Sequence, residues 1–309
     1  MTQEHQQPLA EVRDRTAFIT GGSSGIGLGM ARAFSAAGMK VAFTYRQVAH
    51  RDAALATFAA DNAGVHAIAL DTTDRAAFAR ALAEVREVFG NVHLLCNNAG
   101  VGITAAASSC SFEDWDWAVD VNLTGVFNGI RTVLPHLLEH GEGGHVVTTS
   151  SSGGLLAGSL GVYCTTKFAV MGLMESLRVE MQGKNIGVSV FCPGLVKTRI
   201  FDSERNRPSA HGGPRAPAGP PAALPGFEDV DLMAGAMDSL TAGEKVLEGI
   251  RRNDLFILSH GEFAPAVRER YEAMAASFST DPVPAARKAA TDTFTPDIYR
   301  REVERKAGR

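Results

Sequence analysis

The stretch RTAFITGGSSGIGLGMARAFSAAG (15–38) decides how this chain is read. RTAFIT (15–20) is short, rich in β-formers and stops at glycines, while GIGLGMARAFSAAG (25–38) has helical apolar spacing and ends on a glycine. Strand, glycine turn and helix in that order open a β-α-β unit. The turn TGGSSGIG (20–27) spaces its glycines as G-x-x-x-G-x-G, at Gly21, Gly25 and Gly27. Glycine permits a tight turn and close backbone approach, and the free N–H groups of the following helix favour a pyrophosphate there. Ser23, Ser24 and Ile26 fall inside the same cradle.

The alternation continues outward. KVAFTY (40–45) is the next strand, followed by a helix over about 50–62, VHAIAL (65–70), a helix over about 75–89, and NVHLLCNNAG (91–100). HVVTTS (145–150) and IGVSVFCPG (186–194) repeat the strand pattern. Strands apolar throughout, separated by helices, predict a parallel sheet covered on both faces, and right-handed crossovers make it doubly wound. The regularity breaks in SERNRPSAHGGPRAPAGPPAALPG (203–226), which holds six of the chain's thirteen prolines. Such a stretch predicts a long loop, and a loop that long in a compact domain is usually a functional lid or a linker. TAGE (241–244) reads as a capping box opening a helix to about Arg252. LFILSH (255–260) is a last strand, a helix spans about 262–277, and the charged tail from Asp281 is expected on the surface or against a partner subunit. The α/β reading is thus one doubly wound parallel sheet of about seven strands in a single domain over 1–280, with a lid at about 199–240 and a tail over 281–309.

Composition excludes other classes. The 309 residues are 45% hydrophobic and 21% charged, with 30 Lys+Arg against 34 Asp+Glu. No basic excess points to nucleic acid or an anionic membrane. The polar N-terminus predicts no signal peptide, and no apolar run approaches the ~18 residues of a membrane span. Cys96, Cys110, Cys164 and Cys192 show no paired short spacing, which argues against a disulfide scaffold and fits the reducing cytoplasm. HLLEH (136–140) matches a zinc-peptidase pattern but sits at a helix end closed by Gly141 without an evident third ligand, so no metal is expected.

The chemistry lies in YCTTK (163–167). Tyr163 and Lys167, at i and i+4, share one helix face. An ammonium within ~4 Å of a phenol at an effective dielectric of ~20 is worth at most ~4 kcal/mol, an upper bound on how far it depresses the phenol pKa. A phenol tuned this way exchanges a proton with an alcohol or carbonyl. The serine cluster Ser150, Ser151 and Ser152 stands at a strand end just upstream.

Taken together, these residues resemble the short-chain dehydrogenases/reductases over about residues 15–200. The resemblance rests on TGGSSGIG (20–27), Asp71 after the third strand, NNAG (97–100), Asn122 in VNLTG, the serines, YCTTK and PGLVKT (193–198), in family order. It implies a Rossmann-type fold and hydride transfer between a nicotinamide and a carbonyl or secondary alcohol. Tyr163 would be general acid or base, Ser151 would bond the substrate oxygen, Lys167 would lower the tyrosine pKa and hold the nicotinamide ribose, and Asn122 would open a helix distortion and complete a proton relay. Asp71 and the N–H of Thr72 would meet the adenine, Asn98, Ala99 and Gly100 would pack on the adenosine, and Pro193, Gly194, Val196 and Thr198 would flank the nicotinamide. Counting back 13 positions from Tyr163 gives Ser150, whereas the S-x-x-G element gives Ser151 to Gly154. The strand end is fixed by sheet geometry and the loop is not, so Ser151 is expected to act.

The end of the second strand addresses the cofactor. NAD-specific proteins of such folds place an acid there to bond the ribose 2′-hydroxyl. This chain has Tyr45 followed by Arg46, a guanidinium able to bond a 2′-phosphate, so NADP(H) is expected over NAD(H), which stays the alternative. Ser23 and Ser24 stand where a second basic residue is usual. The lid and LFILSHGEF resemble bacterial members acting on bulky aromatic secondary alcohols, with Phe201, Leu224 and Phe227 as expected lining. A catalytically silent dinucleotide sensor is the rival of another class, and the presence of both Tyr163 and Lys167 speaks against it. An epimerase or dehydratase on the same scaffold is the rival among enzymes. Apolar residues around most of helices 122–138 and 163–181 predict a homodimer or homotetramer.

Overall fold

A computed structural model describes residues 7–59, 64–216, 231 and 233–308. Seven strands, β1 (Thr16–Ile19), β2 (Lys40–Tyr45), β3 (Val65–Ala69), β4 (Leu94–Asn97), β5 (Gly144–Thr149), β6 (Ile186–Cys192) and β7 (Phe256–Leu258), form one sheet in the order β3-β2-β1-β4-β5-β6-β7. Every pairing is parallel. The order reverses between β1 and β4, which opens a crevice beyond their carboxyl ends.

Helices α1 (Gly25–Ala36), α2 (Val48–Leu55), α3 (Arg75–Phe89), α4 (Phe112–Val119), α5 (Gly125–His140), α6 (Gly161–Glu180) and α7 (Ser239–Arg251) pack around the sheet. One core layer joins α3, α5 and α6 to the sheet through Phe78, Val133 and Met174, and the other joins α1 and α7 through Phe34, Val246 and Ile250. Glycine lets α1 and α7 touch: a Cβ on Gly29 would lie 1.8 Å from the Ser239 carbonyl oxygen, and one on Gly243 2.4 Å from the Gly29 backbone.

Three boundaries differ from expectation. The second helix runs over Val48–Leu55 rather than 50–62, and part of the expected span lies outside the described residues. The helix expected to start at the TAGE box begins at Ser239, with the Asp238 carboxylate accepting from the N–H of Leu240. Met237 already pairs with Val196 as an isolated parallel bridge, so the chain turns into the helix before Thr241. The tail is helical. After α8 (Ala264–Ala276), α9 (Ala285–Phe294) and α10 (Ile298–Ala307) follow. The last is tied down by buried Ile298 and Glu302, by Arg305 on Asp254 (2.5 Å) and by Tyr299, which donates to Glu175 (2.5 Å). The surface expectation for the tail fits α9, which buries no residue. Among the described residues, no helix is long and apolar enough to cross a membrane.

Candidate active site

A cleft of about 590 Å³ opens over the carboxyl ends of the strands. Nearly all the expected site residues line it; Gly27 and Asn122 stand behind its wall. Gly21 (φ +64°) and Gly25 (φ +53°) adopt left-handed conformations, and a Cβ on Gly27 would lie 2.3 Å from the Gly21 carbonyl oxygen. The turn is held from below by Thr44, whose hydroxyl accepts from the Gly21 N–H (3.0 Å). Asn98 holds it from the side, donating to the carbonyls of Thr20 (3.2 Å) and Gly21 (3.3 Å). Ser24 caps α1 in extended conformation without a side-chain bond to the helix, so its hydroxyl leaves the first-turn N–H groups available. Those donors, with the positive end of the helix dipole, fit a pyrophosphate. The cradle therefore suits a dinucleotide.

Asn122 is fully buried in a single π-turn, Asp120–Thr124, between α4 and α5. Its Oδ1 accepts from the Val101 N–H (2.8 Å), and its Nδ2 donates to the Val101 carbonyl (3.0 Å) and the Thr166 hydroxyl (3.2 Å). The expected helix distortion is present, and it couples the NNAG segment to the helix of Tyr163.

The two serines part company. Ser150 is buried and donates to the Lys167 carbonyl (2.9 Å). Ser151 lines the cleft with Tyr163 and accepts from the Gly153 N–H (3.1 Å). Lys167 Nζ lies 5.5 Å from the centre of the Tyr163 ring and donates to the Thr149 carbonyl (3.0 Å). Burial pushes the phenol above its ordinary value, with the Ser151 hydroxyl acting the other way, and burial brings Lys167 down to about 8. The direction at Tyr163 is opposite to the depression expected from Lys167. Both groups sit in low dielectric, which disfavours each charged form, and the ammonium is directed to Thr149.

Elsewhere along the cleft, Asp71 accepts from the Thr73 N–H (3.0 Å) and hydroxyl (2.8 Å) and pairs with Arg46 (3.4 Å), both partners about two-fifths exposed. Tyr45 accepts from Arg51 (3.4 Å) beside the cleft. Pro193, Gly194, Val196 and Thr198 line the opposite wall, where Gly194 donates its N–H to His260 (3.0 Å) and Thr198 Cγ2 lies 3.0 Å from where a Cβ on Gly25 would be.

Some site residues escaped the sequence reading. His260 bonds both Gly194 and the Leu195 carbonyl (3.1 Å), and the only signal for it was the resemblance of LFILSHGEF. The lid contributes Ile200, Phe201, Ser203, Arg205 and Asn206 to the cleft, beside Ile103, Leu156, Leu160 and Phe263. Phe201 thus stands where expected, whereas Leu224 and Phe227 lie outside the described residues. The HLLEH histidines are engaged with one backbone group pair: His136 accepts from the Val92 N–H (3.1 Å) and His140 bonds the Val92 carbonyl (2.9 Å).

Known proteins share this architecture. The short chain dehydrogenase family model matches residues 15–209. A Cα-dehydrogenase of Sphingobium sp. is 33% identical over 276 residues, covering 86% of this chain and 87% of the relative. A short-chain dehydrogenase structure from Novosphingobium aromaticivorans superposes with a TM-score of 0.76 at 34% identity, over 95% of this chain and 98% of that one. Another, from Burkholderia phymatum in complex with NAD, gives 0.79 at 32% identity, over 89% and 99%. With the glycine cradle, the seven-stranded sheet and the paired tyrosine and lysine already in place, these matches make the chain a member of the short-chain dehydrogenase/reductase family, a nicotinamide-dependent oxidoreductase acting on a small molecule.

Proposed function

We propose that the protein interconverts a bulky, aryl-bearing ketone and its secondary alcohol with NADP(H), using Tyr163 as the proton carrier. The observation that carries this reading is a single cleft that Ser151 and Tyr163 line together with the apolar side chains of Ile103, Leu156, Leu160, Phe201 and Phe263. When bound, the nicotinamide supplies or accepts the hydride. Ser151 donates a hydrogen bond to the substrate oxygen and Tyr163 gives it a proton in reduction or takes one in oxidation. A phenol kept protonated by burial is suited to the donor role. Lys167, backed by Thr149 and by the Asn122 bonds to Val101 and Thr166, would hold the nicotinamide ribose. The glycine cradle would hold the pyrophosphate, and Asp71 with Thr72 the adenine. The Cα-dehydrogenase relative supports a dehydrogenase.

Arg46 supports NADP(H). Its pair with Asp71 is half-exposed and long, an interaction of the kind worth about 0–1 kcal/mol, which a 2′-phosphate can displace. The second reading is NAD(H), favoured by the NAD-bound neighbour and by Asp71 as a competing partner for Arg46. A homodimer or homotetramer in the cytoplasm completes the proposal: Phe127 and Leu138 leave α5 exposed (48% and 41%), and all four cysteines are free. The test is a screen of aryl and small ketones and alcohols with each cofactor, followed by the near-ultraviolet absorbance of reduced nicotinamide. Aryl ketones with NADPH should give the highest kcat/KM; equal or reversed values for acetone-sized ketones would remove the substrate assignment.

A further inference from the structure

Arg207 is 2% exposed although it lies in a polar, proline-rich lid. Its guanidinium donates from Nε and Nη2 to both oxygens of Glu204 (2.7 and 2.6 Å), from Nη2 to Asp114 (2.7 Å) and from Nη1 to the His211 carbonyl (3.3 Å). Its Cζ lies 4.5 Å from the centre of the Trp117 ring. Asp114 also accepts from Arg215 (3.0 Å), and His211 faces Asp120 at 3.4 Å. Asp114 and Trp117 belong to α4, and Asp120 opens the π-turn that carries Asn122. The chain just after the turn 200–206 is therefore clamped, by a bidentate and stacked arginine, to α4, which runs into the π-turn that carries Asn122.

The residue just before Arg207 is held more weakly. Asn206 accepts from Arg46 at its carbonyl (3.4 Å) and from Gln47 at its side chain (3.1 Å), both contacts exposed. Earlier in the same turn the Gly102 N–H donates to Ser203 (2.8 Å), so the turn 200–206 touches both the β4–α4 connection and the β2–α2 connection. The buried Arg207 thus follows directly on a turn whose contact with the β2–α2 connection is exposed, and it is the anchored residue of this segment. We propose that Arg207 is a positioning residue: its clamp on Glu204 and Asp114 keeps the lid turn in register over the cleft, so that a substrate large enough to touch the lid is bound. The substrate part of this inference rests on the function proposed above.

Removing Arg207 leaves the buried Glu204 carboxylate without its cation and Asp114 with Arg215 alone, which costs more than replacing the whole cluster. In Arg207→Met, KM for a bulky aryl ketone should rise at least about tenfold while kcat, and KM for an acetone-sized ketone, stay within about threefold. Arg207→Lys, which keeps charge but not the bidentate, stacked geometry, should restore only part of the difference. Asp114→Asn, nearly isosteric, should shift the same ratio in the same direction. Equal changes for both ketones, or an unchanged ratio in Asp114→Asn, would overturn the proposal. A second readout is independent of activity. Tryptic cleavage after Arg199 and Arg205 should be at least about tenfold faster in Arg207→Met and Asp114→Asn than in wild type under native conditions, where cutting follows the population of the locally open form. Arg207 precedes Pro208, so its replacement removes no tryptic site. Cleavage no faster than in wild type, or faster only in proportion to a lowered urea midpoint, contradicts the clamp. If no ketone is turned over by the wild type, the functional reading fails while the proteolysis still decides the clamp.

Discussion

Ser150 points away from the chemistry, donating its hydroxyl to the main-chain carbonyl of Lys167 at 2.9 Å. Its neighbour Ser151 lines the cleft with Tyr163. Ser151 follows β5 in extended backbone, where successive side chains point to opposite sides, so the two hydroxyls meet different surroundings. Ser151→Ala should lower kcat about a hundredfold, the usual effect of losing a preorganised donor to a developing charge. Ser150→Ala should keep kcat and lose about 1 kcal/mol of stability in urea unfolding, the net worth of one buried hydrogen bond. An active Ser151→Ala beside an inert Ser150→Ala would reverse the assignment.

Arg46 is the residue through which cofactor choice should be read. Wild-type kcat/KM is expected to favour NADP(H) by at least about tenfold, since a charge-assisted contact is worth ~1.5–3 kcal/mol. Arg46→Ala should erase most of that preference. A wild type that prefers NAD(H), or a variant with unchanged preference, would show that Arg46 serves Asp71 and the lid alone.

His145 makes the fold acid-sensitive. Ser189 donates to the Asp254 carbonyl and so accepts from His145 Nε2 (2.8 Å), which leaves Nδ1 buried without a hydrogen-bond partner. Burial, aided by the charge of Arg178, lowers its pKa to about 3 against an ordinary 6.5. The unfolded state then binds a proton that the folded state refuses. Stability is full above 6.5 and falls as pH drops toward 3, by up to about 1.4 kcal/mol per pH unit from this group. Urea unfolding at pH 7 and pH 5 should register the loss, and His145→Gln should flatten it. A slope unchanged in the variant would place the acid sensitivity elsewhere.

Self-association should be visible by light scattering at micromolar concentration as a dimer or tetramer. Phe127→Glu, on the exposed apolar face of α5, should shift the mass toward the monomer. A monomeric wild type contradicts the expectation.

Legibility in the sequence tracked locality. Helix α3 was readable to the residue because Asp74 caps it, Phe78, Ala81, Leu82 and Val85 repeat at helical spacing, and Gly90 ends it. The glycine cradle and the Tyr163–Lys167 spacing are local too, and the cleft gathers them with Asp71, Ser151 and Thr198 as expected. The start of α7 was not readable, because the Val196–Met237 bridge that sets it joins segments far apart in the chain. Arg207 was invisible for the same reason: a charged residue in a polar loop is buried only because Asp114 and Trp117, on another element, meet it. The sign of the Tyr163 shift depended on burial at both partners, which i, i+4 spacing does not report.

The central claim is that Tyr163 carries the proton. The most direct measurement is kcat for ketone reduction by Tyr163→Phe, followed by the absorbance of reduced nicotinamide, with cofactor affinity measured separately to confirm an intact cleft. The variant loses only the hydroxyl, and general acid catalysis contributes about 10²–10⁴-fold, so kcat should fall at least a hundredfold with cofactor binding preserved. A variant that retains more than about a tenth of wild-type kcat, when proton transfer should be worth at least ~10², would contradict the account.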